Sequence, residues 1–552
     1  MPVFVGRCHY SIFHEGKLGV THRILIATSL SEAGLNLLKG EIGGLAQVVE
    51  PENLSKHPML NAAEALIIRD EVEIDTALLE KMPKLRVIGR AGVGIAGIDV
   101  ESATRRGIIV MNTPGVNAIS TAEYTFTLML AMARNLIQAH NALTGGVWKR
   151  EQHVGMELHG KRLGIIGLGR VGREVARRAM AFGMTVQAYD PYVTENQLGD
   201  LRLKLVGLAQ LLADSDVISL HCATTPETAG LLNVDTFSLI KNGALLINTA
   251  HGSIVDENAL LTALKNGRLA GVAVDVYAHE PITHSPLLNL PNVLHTPHLG
   301  DSTREAQRDL GLLIARQVLD ALRGEDYRNV VNMPFVDGRP FEMIAPYLKL
   351  AERIGILQHA LARGPINRVM LEFRGQEVEG LVKPMTVALL RGLLMPILGE
   401  GTVNYINAPV LAHERNIFVS QTKGLDSPDY ANLMSCQVHW TGQYAGSTTM
   451  AGALFGRTEA HIVKINQYRT DFQPEGVLLV IGSYDRPGVI GRVGLLLSEN
   501  NINIADWRTG RAEPGGQTLS VAILDEPISD DLLETLRSQD YVRHATQIVF
   551  SS

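Results

Sequence analysis

Three residues able to move a proton or steady a charge stand at the ends of three successive apolar runs: His251 in "LLINTAHG", Glu280 in "VAVDVYAHEP" and His298 in "LHTPHLGDST". In α/β sheets the ends of strands are where ligands bind. An imidazole titrating near neutral pH suits general acid–base work, and a neighbouring carboxylate fixes its tautomer and raises its pKa. Glu280 and His298 are candidates for such a pair. His251 could polarise a carbonyl as a cation, or it could be an ordinary loop histidine, the commoner fate of a lone His before Gly. Three such residues at three strand ends of one sheet shift the odds to function.

The chemistry they would serve is signalled upstream. "GLGRVG" supplies Gly167, Gly169 and Gly172 as GxGxxG, directly after the strand-like "RLGII" and opening the helical "REVARRAMAFG". Such glycines allow a tight turn and close approach of backbone to a pyrophosphate, whose charge the helix N-terminus favours. The next strand-like run, "TVQAYD", ends in Asp190, 18 residues after Gly172, near the roughly 20 expected of an acid that binds a ribose 2'-hydroxyl. That carboxylate would repel a 2'-phosphate, so NAD is favoured over NADP. Hydride transfer between a hydroxyl and a nicotinamide then requires a base and a carbonyl-polarising group. Arg69, Arg90 and Arg150 are candidate anion holders, and Arg90 abuts "AGVG", whose glycines, Gly94 among them, could present N–H groups to a carboxylate.

The elements that must position these residues follow from periodicity. "RILIATSL", "EALIIRD" and "LRVIGRAGVG", then "KRLGIIGLG", "TVQAYD", "VISLHC", "ALLINTA", "AGVAVDVY" and "NVLHTPHLG", alternate with helical stretches, the pattern of parallel, doubly wound sheets. One long helix is expected over 120–143, with Ser120 as N-cap and Glu123 three residues on. The segment "RNVVNMPFVDGRP" reads as a linker, "LAERIGILQHALA" as an amphipathic helix, and the chain from Glu475 as a ferredoxin-like βαββαβ module.

Composition narrows the class. At 552 residues, roughly 100–200 per domain implies three or four domains. A net charge of -7 gives no overall attraction to nucleic acid or anionic membranes. Cys8, Cys222 and Cys436 form no CxxC pair or metal-spaced cluster, so no metal is expected and a reducing cytoplasm is the simplest setting. No apolar run suggests a membrane span. Residues 1–22 lack a signal peptide's apolar core and read as a loose extension or a misplaced start.

"GRAGVGIAGIDVESATRRGIIVMNTPGVNAISTAEYTFTLMLAMAR", "LGIIGLGRVGREVARRAMAFGM", "AGVAVDVYAHEP" and "TPHLGDSTREAQ" together resemble the D-2-hydroxyacid dehydrogenases. "VNYINAPVLAHERNI" is similar to the intervening domain of long-chain members, and "YDRPGVIGRVGLLLSENNINIADWRTGR" to ACT effector domains. The resemblance implies an N-terminal extension at 1–22, a discontinuous substrate domain at 23–119 and 305–330, and an NAD-binding domain at 120–304. The two are Rossmann-like, and an α+β intervening domain at 331–470 and an ACT domain at 475–552 follow. It implies NAD-dependent oxidation of 3-phospho-D-glycerate to 3-phosphohydroxypyruvate, entering L-serine synthesis, by a homodimer or homotetramer.

Residue by residue, it implies that Gly167, Gly169, Arg170, Val171, Gly172 and Asp190 hold NAD, with Thr249, Ala250, Asp275 and Gly300 on the nicotinamide side. His298 would exchange the proton and Glu280 would be its partner. Arg69, Arg90, Val93, Gly94 and Arg150 would bind the substrate's anionic ends, and Asp485, Asn501 and Asn503 would bind serine as effector. The family motif reads Asn-x-x-Arg-Gly, whereas this chain has "NTAHG", with His251 in place of an arginine that clamps the substrate carboxylate. Histidine is shorter and only partly charged near neutral pH. Two other readings stay open: a dehydrogenase of hydroxypyruvate or glyoxylate type, and an NAD-binding sensor with weakened catalysis.

Overall fold

The computed structural model describes residues 9–11, 22–69, 71–95, 97–282, 284–333, 341–399, 401–424 and 429–551. Most of the expected N-terminal extension, and residues 334–340 of the expected linker, lie outside them. Two compact units result: one from the described residues of Met1–Ser29, Leu35–Asn112 and Leu313–Ser552, the other from Leu30–Gly34 and Thr113–Leu312.

The second unit carries the nucleotide sheet, seven strands in the order Val293–His295, Leu269–Val274, Ala244–Asn248, Val217–Leu220, Arg162–Ile166, Thr185–Tyr189 and Lys204–Leu205. All neighbours pair in parallel. Its central strands read as unbroken apolar runs because helices cover both faces. Ala118–Ala133 and Arg170–Ala181 close one core, and Leu208–Asp214, Val234–Leu239 and Glu257–Lys265 the other. Strand order reverses between Arg162–Ile166 and Val217–Leu220, which makes that gap the expected ligand crevice.

The long helix expected over 120–143 is two helices, Ala118–Ala133 and Leu136–Thr144, broken where Asn135 takes a left-handed φ of 49°. Asparagine tolerates that conformation through its short polar side chain. The N-cap is Asn117 rather than Ser120, whose hydroxyl instead meets Thr303 Oγ1 at 2.8 Å.

The first unit holds three sheets. Five parallel strands run in the order Ala46–Val48, Ile24–Ala27, Ala65–Ile68, Val87–Arg90, Ile109–Met111. A mixed six-stranded sheet spans 366–472, and a ferredoxin-like module follows, with Val477–Tyr484 between Val542–Ser551 and Gln517–Leu524 and with Ile504–Arg511 outermost. Residues His9–Ser11, expected as loose chain, lie parallel beside Val542–Ser551 and occupy its edge hydrogen-bonding groups.

The helix Phe341–Leu361 is not amphipathic as expected. Residues 350–358 are all buried, because the helix is enclosed by Val382–Leu398, the mixed sheet and one face of the C-terminal module. Its charges are therefore paired inside the fold: Glu352 with Arg391 and the Tyr405 hydroxyl (3.0 Å), Arg353 with Glu475. The stretch Gln376–Leu398 is long and apolar enough to cross a membrane, which the sequence reading did not anticipate, and 67% of its apolar window is buried in the protein. The two helices approach at glycines. A Cβ on Gly355 would sit 2.2 Å from the Leu389 carbonyl, and one on Gly392 2.0 Å from that of Glu352.

Gly355→Ala should therefore destabilise the chain by about 1–3 kcal/mol through overpacking, although alanine is the better helix former by about 1 kcal/mol. Denaturant unfolding checks this. An unchanged or raised midpoint would mean that the helices can separate freely.

Candidate active site

The Gly-rich turn is made by steric necessity at the switch point. Gly167 has φ 94°, and a Cβ there would lie 2.5 Å from the Cys222 backbone nitrogen at the end of the neighbouring strand. A Cβ on Gly172 would lie 2.2 Å from the Gly167 carbonyl. Gly169 differs: no heavy atom comes within 4 Å of its Cβ position, so this point of the loop faces open space at the start of the helix Arg170–Ala181. Asp190 accepts from Leu168 N at 2.8 Å and from Tyr192 N at 2.9 Å. The carboxylate is thus tied to the glycine loop itself. An open glycine, a free helix N-terminus and a fixed carboxylate fit a dinucleotide. Val171 packs into the helix-covered core, and the Arg170 guanidinium donates to the Pro114 carbonyl.

Beyond the strand Ala244–Asn248, the Asn248 side chain folds the loop onto itself. Its Oδ1 accepts from Ala250 N at 3.1 Å and its Nδ2 donates to the His251 carbonyl at 3.0 Å. Thr249 is buried, hydroxyl to hydroxyl with Thr125 at 2.8 Å. His251 is half-buried. Gly252 has no room for a side chain, since a Cβ would fall 2.0 Å from the Tyr277 carbonyl carbon. The loop carrying His251 therefore rests directly on the loop carrying Glu280.

Asp275, 1% exposed, holds the third loop. It accepts from Thr296 Oγ1 at 2.6 Å and from the N–H groups of Leu299 and Gly300 at 2.8 Å each, and its carbonyl accepts from His298 N at 3.0 Å. Burial pushes its carboxyl above the usual range, against these hydrogen bonds. His298 is held at φ 53°, a left-handed conformation that non-glycine residues seldom adopt. In that position its Nδ1 meets Glu280 Oε2 at 2.7 Å.

The Glu280 hydrogen bond, more than the opposing burial, raises the His298 imidazole from 6.5 to about 9, with the charges of Glu280, Asp275 and Asp301 adding to the shift. Burial pushes Glu280 up, but the hydrogen bonds from His298 and Tyr277 N and the charges of His298 and His251 leave it below the ordinary carboxylate value. With Nδ1 engaged by Glu280, Nε2 is the ring nitrogen left to other partners. Tyr277 was not singled out from the sequence, yet its N–H donates to Glu280 Oε1 at 2.9 Å and its hydroxyl to the Thr296 carbonyl at 3.1 Å. It ties the loops of Glu280 and His298 together. Its place between Asp275 and Glu280 was the available signal.

The arginine candidates divide. Arg69 and Arg90 come together in the first unit, where Arg90 Nη1 donates to the Arg69 carbonyl at 2.5 Å and Arg69 Nε to the Ala91 carbonyl at 3.1 Å. Arg90 is only 2% exposed and lies under the turn, whereas Val93 is exposed and Gly94 opens onto free space. Arg150 belongs to the second unit, exposed in the turn Arg150–His153. In the C-terminal module, Asp485 Oδ2 accepts from Gly515 N at 2.9 Å, while Asn503 Nδ2 donates to Asp525 Oδ2 at 2.7 Å. Asn501 takes φ 58° in the turn between them. No group of three or more metal-ligating side chains occurs among the described residues.

Residues 126–300 match the family "D-isomer specific 2-hydroxyacid dehydrogenase, NAD binding domain", 343–466 the "D-3-phosphoglycerate dehydrogenase intervening domain" and 477–540 the "ACT domain". The chain is 39% identical to the D-3-phosphoglycerate dehydrogenase of Archaeoglobus fulgidus over 95% of its length and 99% of that protein's. It is 38% identical to that of Bacillus subtilis over 93% and 97%. Among solved structures it resembles an NADPH-dependent glyoxylate/hydroxypyruvate reductase from Sinorhizobium meliloti, with 28% identity and a TM-score of 0.51 over 56% of this chain and 97% of that one.

The raised imidazole sets a pH dependence. If His298 is the base that takes a hydroxyl proton, it must be neutral to act, so hydroxyacid oxidation should rise about tenfold per pH unit below about pH 9 and level off above it. Glu280→Gln removes the main cause of the shift and should bring the inflection back towards about 6.5. Steady-state profiles of kcat/KM check this, and the same inflection in both forms would contradict it.

Proposed function

The chain belongs to the D-3-phosphoglycerate dehydrogenases, and from that premise we propose that it oxidises 3-phospho-D-glycerate to 3-phosphohydroxypyruvate, the entry to L-serine synthesis. NAD supplies the hydride acceptor. His298 Nε2 takes the C2 hydroxyl proton, Glu280 steadies the imidazolium that results, and Asp190 selects NAD over NADP by accepting from the ribose hydroxyls. Arg69, Arg90, Val93, Gly94 and Arg150 are assigned to the substrate's phosphate and carboxylate. The observation that carries this reading is the Glu280–His298 hydrogen bond at the strand ends of the nucleotide sheet.

A glyoxylate- or hydroxypyruvate-type reductase is the second reading, supported by the S. meliloti likeness. It does not account for the intervening and ACT segments, which match at 343–466 and 477–540. Serine, as effector, is assigned to Asp485, Asn501 and Asn503. A homo-oligomer is supported by the apolar surface of 136–154, where Trp148 is 84% and Val154 78% exposed. Turnover of 3-phosphoglycerate against unphosphorylated D-glycerate tests the substrate assignment: the phosphorylated acid should be preferred by at least about a hundredfold in kcat/KM, as befits two charge-assisted contacts. Equal rates would favour the second reading.

His251 occupies the carboxylate-clamping position as a weaker donor. Loss of one preorganised donor costs on the order of 10²–10³ in rate, and histidine recovers part of it. His251→Arg should raise turnover, because arginine carries a fixed charge and a planar pair of donors that histidine lacks. His251→Ala should lower it. Identical rates and profiles in all three forms would remove His251 from the mechanism.

Asp190→Ala should relax the coenzyme preference. Initial rates at matched NAD and NADP concentrations would show it, and equal use of the two by the unaltered chain would overturn the assignment.

A further inference from the structure

The turn that carries Val93 and Gly94 is fixed firmly at its start. It leaves the strand Val87–Arg90, where Ala91 N donates to the Ile68 carbonyl at 2.8 Å and the Ala91 carbonyl accepts from Arg69 Nε at 3.1 Å. Past Ala91 the chain runs out into solvent: Val93 is 45% exposed, and no heavy atom comes within 4 Å of the Cβ position of Gly94. The Asn112 side chain reaches this outer half, its Nδ2 donating to the Val93 carbonyl at 2.7 Å. A trans peptide is planar, and its N–H points opposite to its carbonyl. Holding the Val93 carbonyl therefore also aims the Gly94 N–H, away from Asn112.

Asn112 is itself placed from behind. It follows the strand Ile109–Met111, which pairs in parallel with Val87–Arg90, so the turn and Asn112 emerge at the same end of the sheet, where ligands bind. On its other side this strand meets the segment 329–332. Asn112 N donates to the Asn329 carbonyl at 3.2 Å, Val331 N donates to the Val110 carbonyl at 2.8 Å, and Met111 and Val330 pair as an antiparallel bridge. Asn332 closes the contact: Oδ1 accepts from Val110 N at 3.0 Å, and Nδ2 donates to the Ile108 carbonyl at 2.8 Å and to Thr104 Oγ1 at 3.0 Å. Val110 and Met111 are fully buried, so the amide of Asn112 projects from a rigid strand end.

We propose that Asn112 is a positioning residue for the bound acid: it aims the Gly94 N–H at the substrate carboxylate, and the segment 329–332 holds it in place to do so. This rests on the assignment of Val93 and Gly94 to the substrate's anionic end. Asn112 touches no reacting atom. Its hydrogen bond serves the bound acid equally in the ground and transition states, so losing it raises KM and spares kcat. A variant that merely folds less well does the reverse, losing kcat in proportion to the active fraction and keeping its KM.

Steady-state oxidation of 3-phosphoglycerate by the full chain at saturating NAD compares the unaltered protein with Asn112→Ala, Asn332→Ala and the double variant, and D-glycerate is run in parallel. Asn112→Ala should raise KM for the acid about three- to tenfold, the effect of one neutral hydrogen bond, with kcat within about twofold and KM for NAD unchanged. Asn332→Ala keeps the Asn112 amide but frees the segment behind it, so it should raise the same KM. The double variant should fall short of the product of the single effects, because both act through one turn. Should Asn112→Ala fail to fold, Asn332→Ala alone carries the KM comparison. A KM rise for D-glycerate without any turnover of 3-phosphoglycerate would overturn the substrate reading and leave the role of Asn112 standing. Normal turnover of 3-phosphoglycerate with an unchanged KM in Asn112→Ala would do the opposite. A fall in kcat at unchanged KM, a raised KM for NAD, no effect of Asn332→Ala, or fully multiplicative effects would each overturn the proposal, and no turnover of either acid by the unaltered chain would overturn both.

Discussion

Asp275 gives its two carboxylate oxygens to three donors of one loop, Thr296 Oγ1 and the N–H groups of Leu299 and Gly300, and its carbonyl to His298 N. A carboxylate that is 1% exposed is costly to bury without such partners. Hydrogen bonds to a charged group contribute about 1.5–3 kcal/mol each, which is enough to hold His298 in a left-handed conformation that costs of order 1–3 kcal/mol. The strain aims the imidazole at Glu280. Without the clamp the loop would relax, and the 2.7 Å contact that gives His298 its raised basicity would be lost.

The remaining parts of the site follow from what a parallel sheet can bring together. Segments 248–252, 275–280 and 296–300 are distant in sequence but leave adjacent strands. Gly252 lets the first rest on the second, and Tyr277 ties the second to the third. The glycine turn and Asp190 sit across the switch point on the neighbouring pair of strands. The glycine turn that fits a dinucleotide and the Glu280–His298 pair are therefore set by the same parallel sheet.

Most of this was legible because it is local. The GxGxxG turn, the strand ends and the succession of elements in the C-terminal module depend on residues within a few positions of one another. What escaped depends on tertiary partners. The Asn135 break in the 118–144 helices looks like continuous helix in one dimension. The helix Phe341–Leu361 has the charges of a solvated face, but Arg391, Tyr405 and Glu475 take them inside the fold. Tyr277 has no motif of its own, since its hydroxyl serves one backbone carbonyl of another loop, that of Thr296.

Glu280, with His298 positioned by Asp275, gives the imidazole its raised basicity. An NMR titration of the His298 ring in isotopically labelled protein, assigned by comparison with His298→Gln, measures this without turnover. A midpoint of about 9 is expected. A midpoint at about 6.5, the value of an unperturbed histidine, would contradict it.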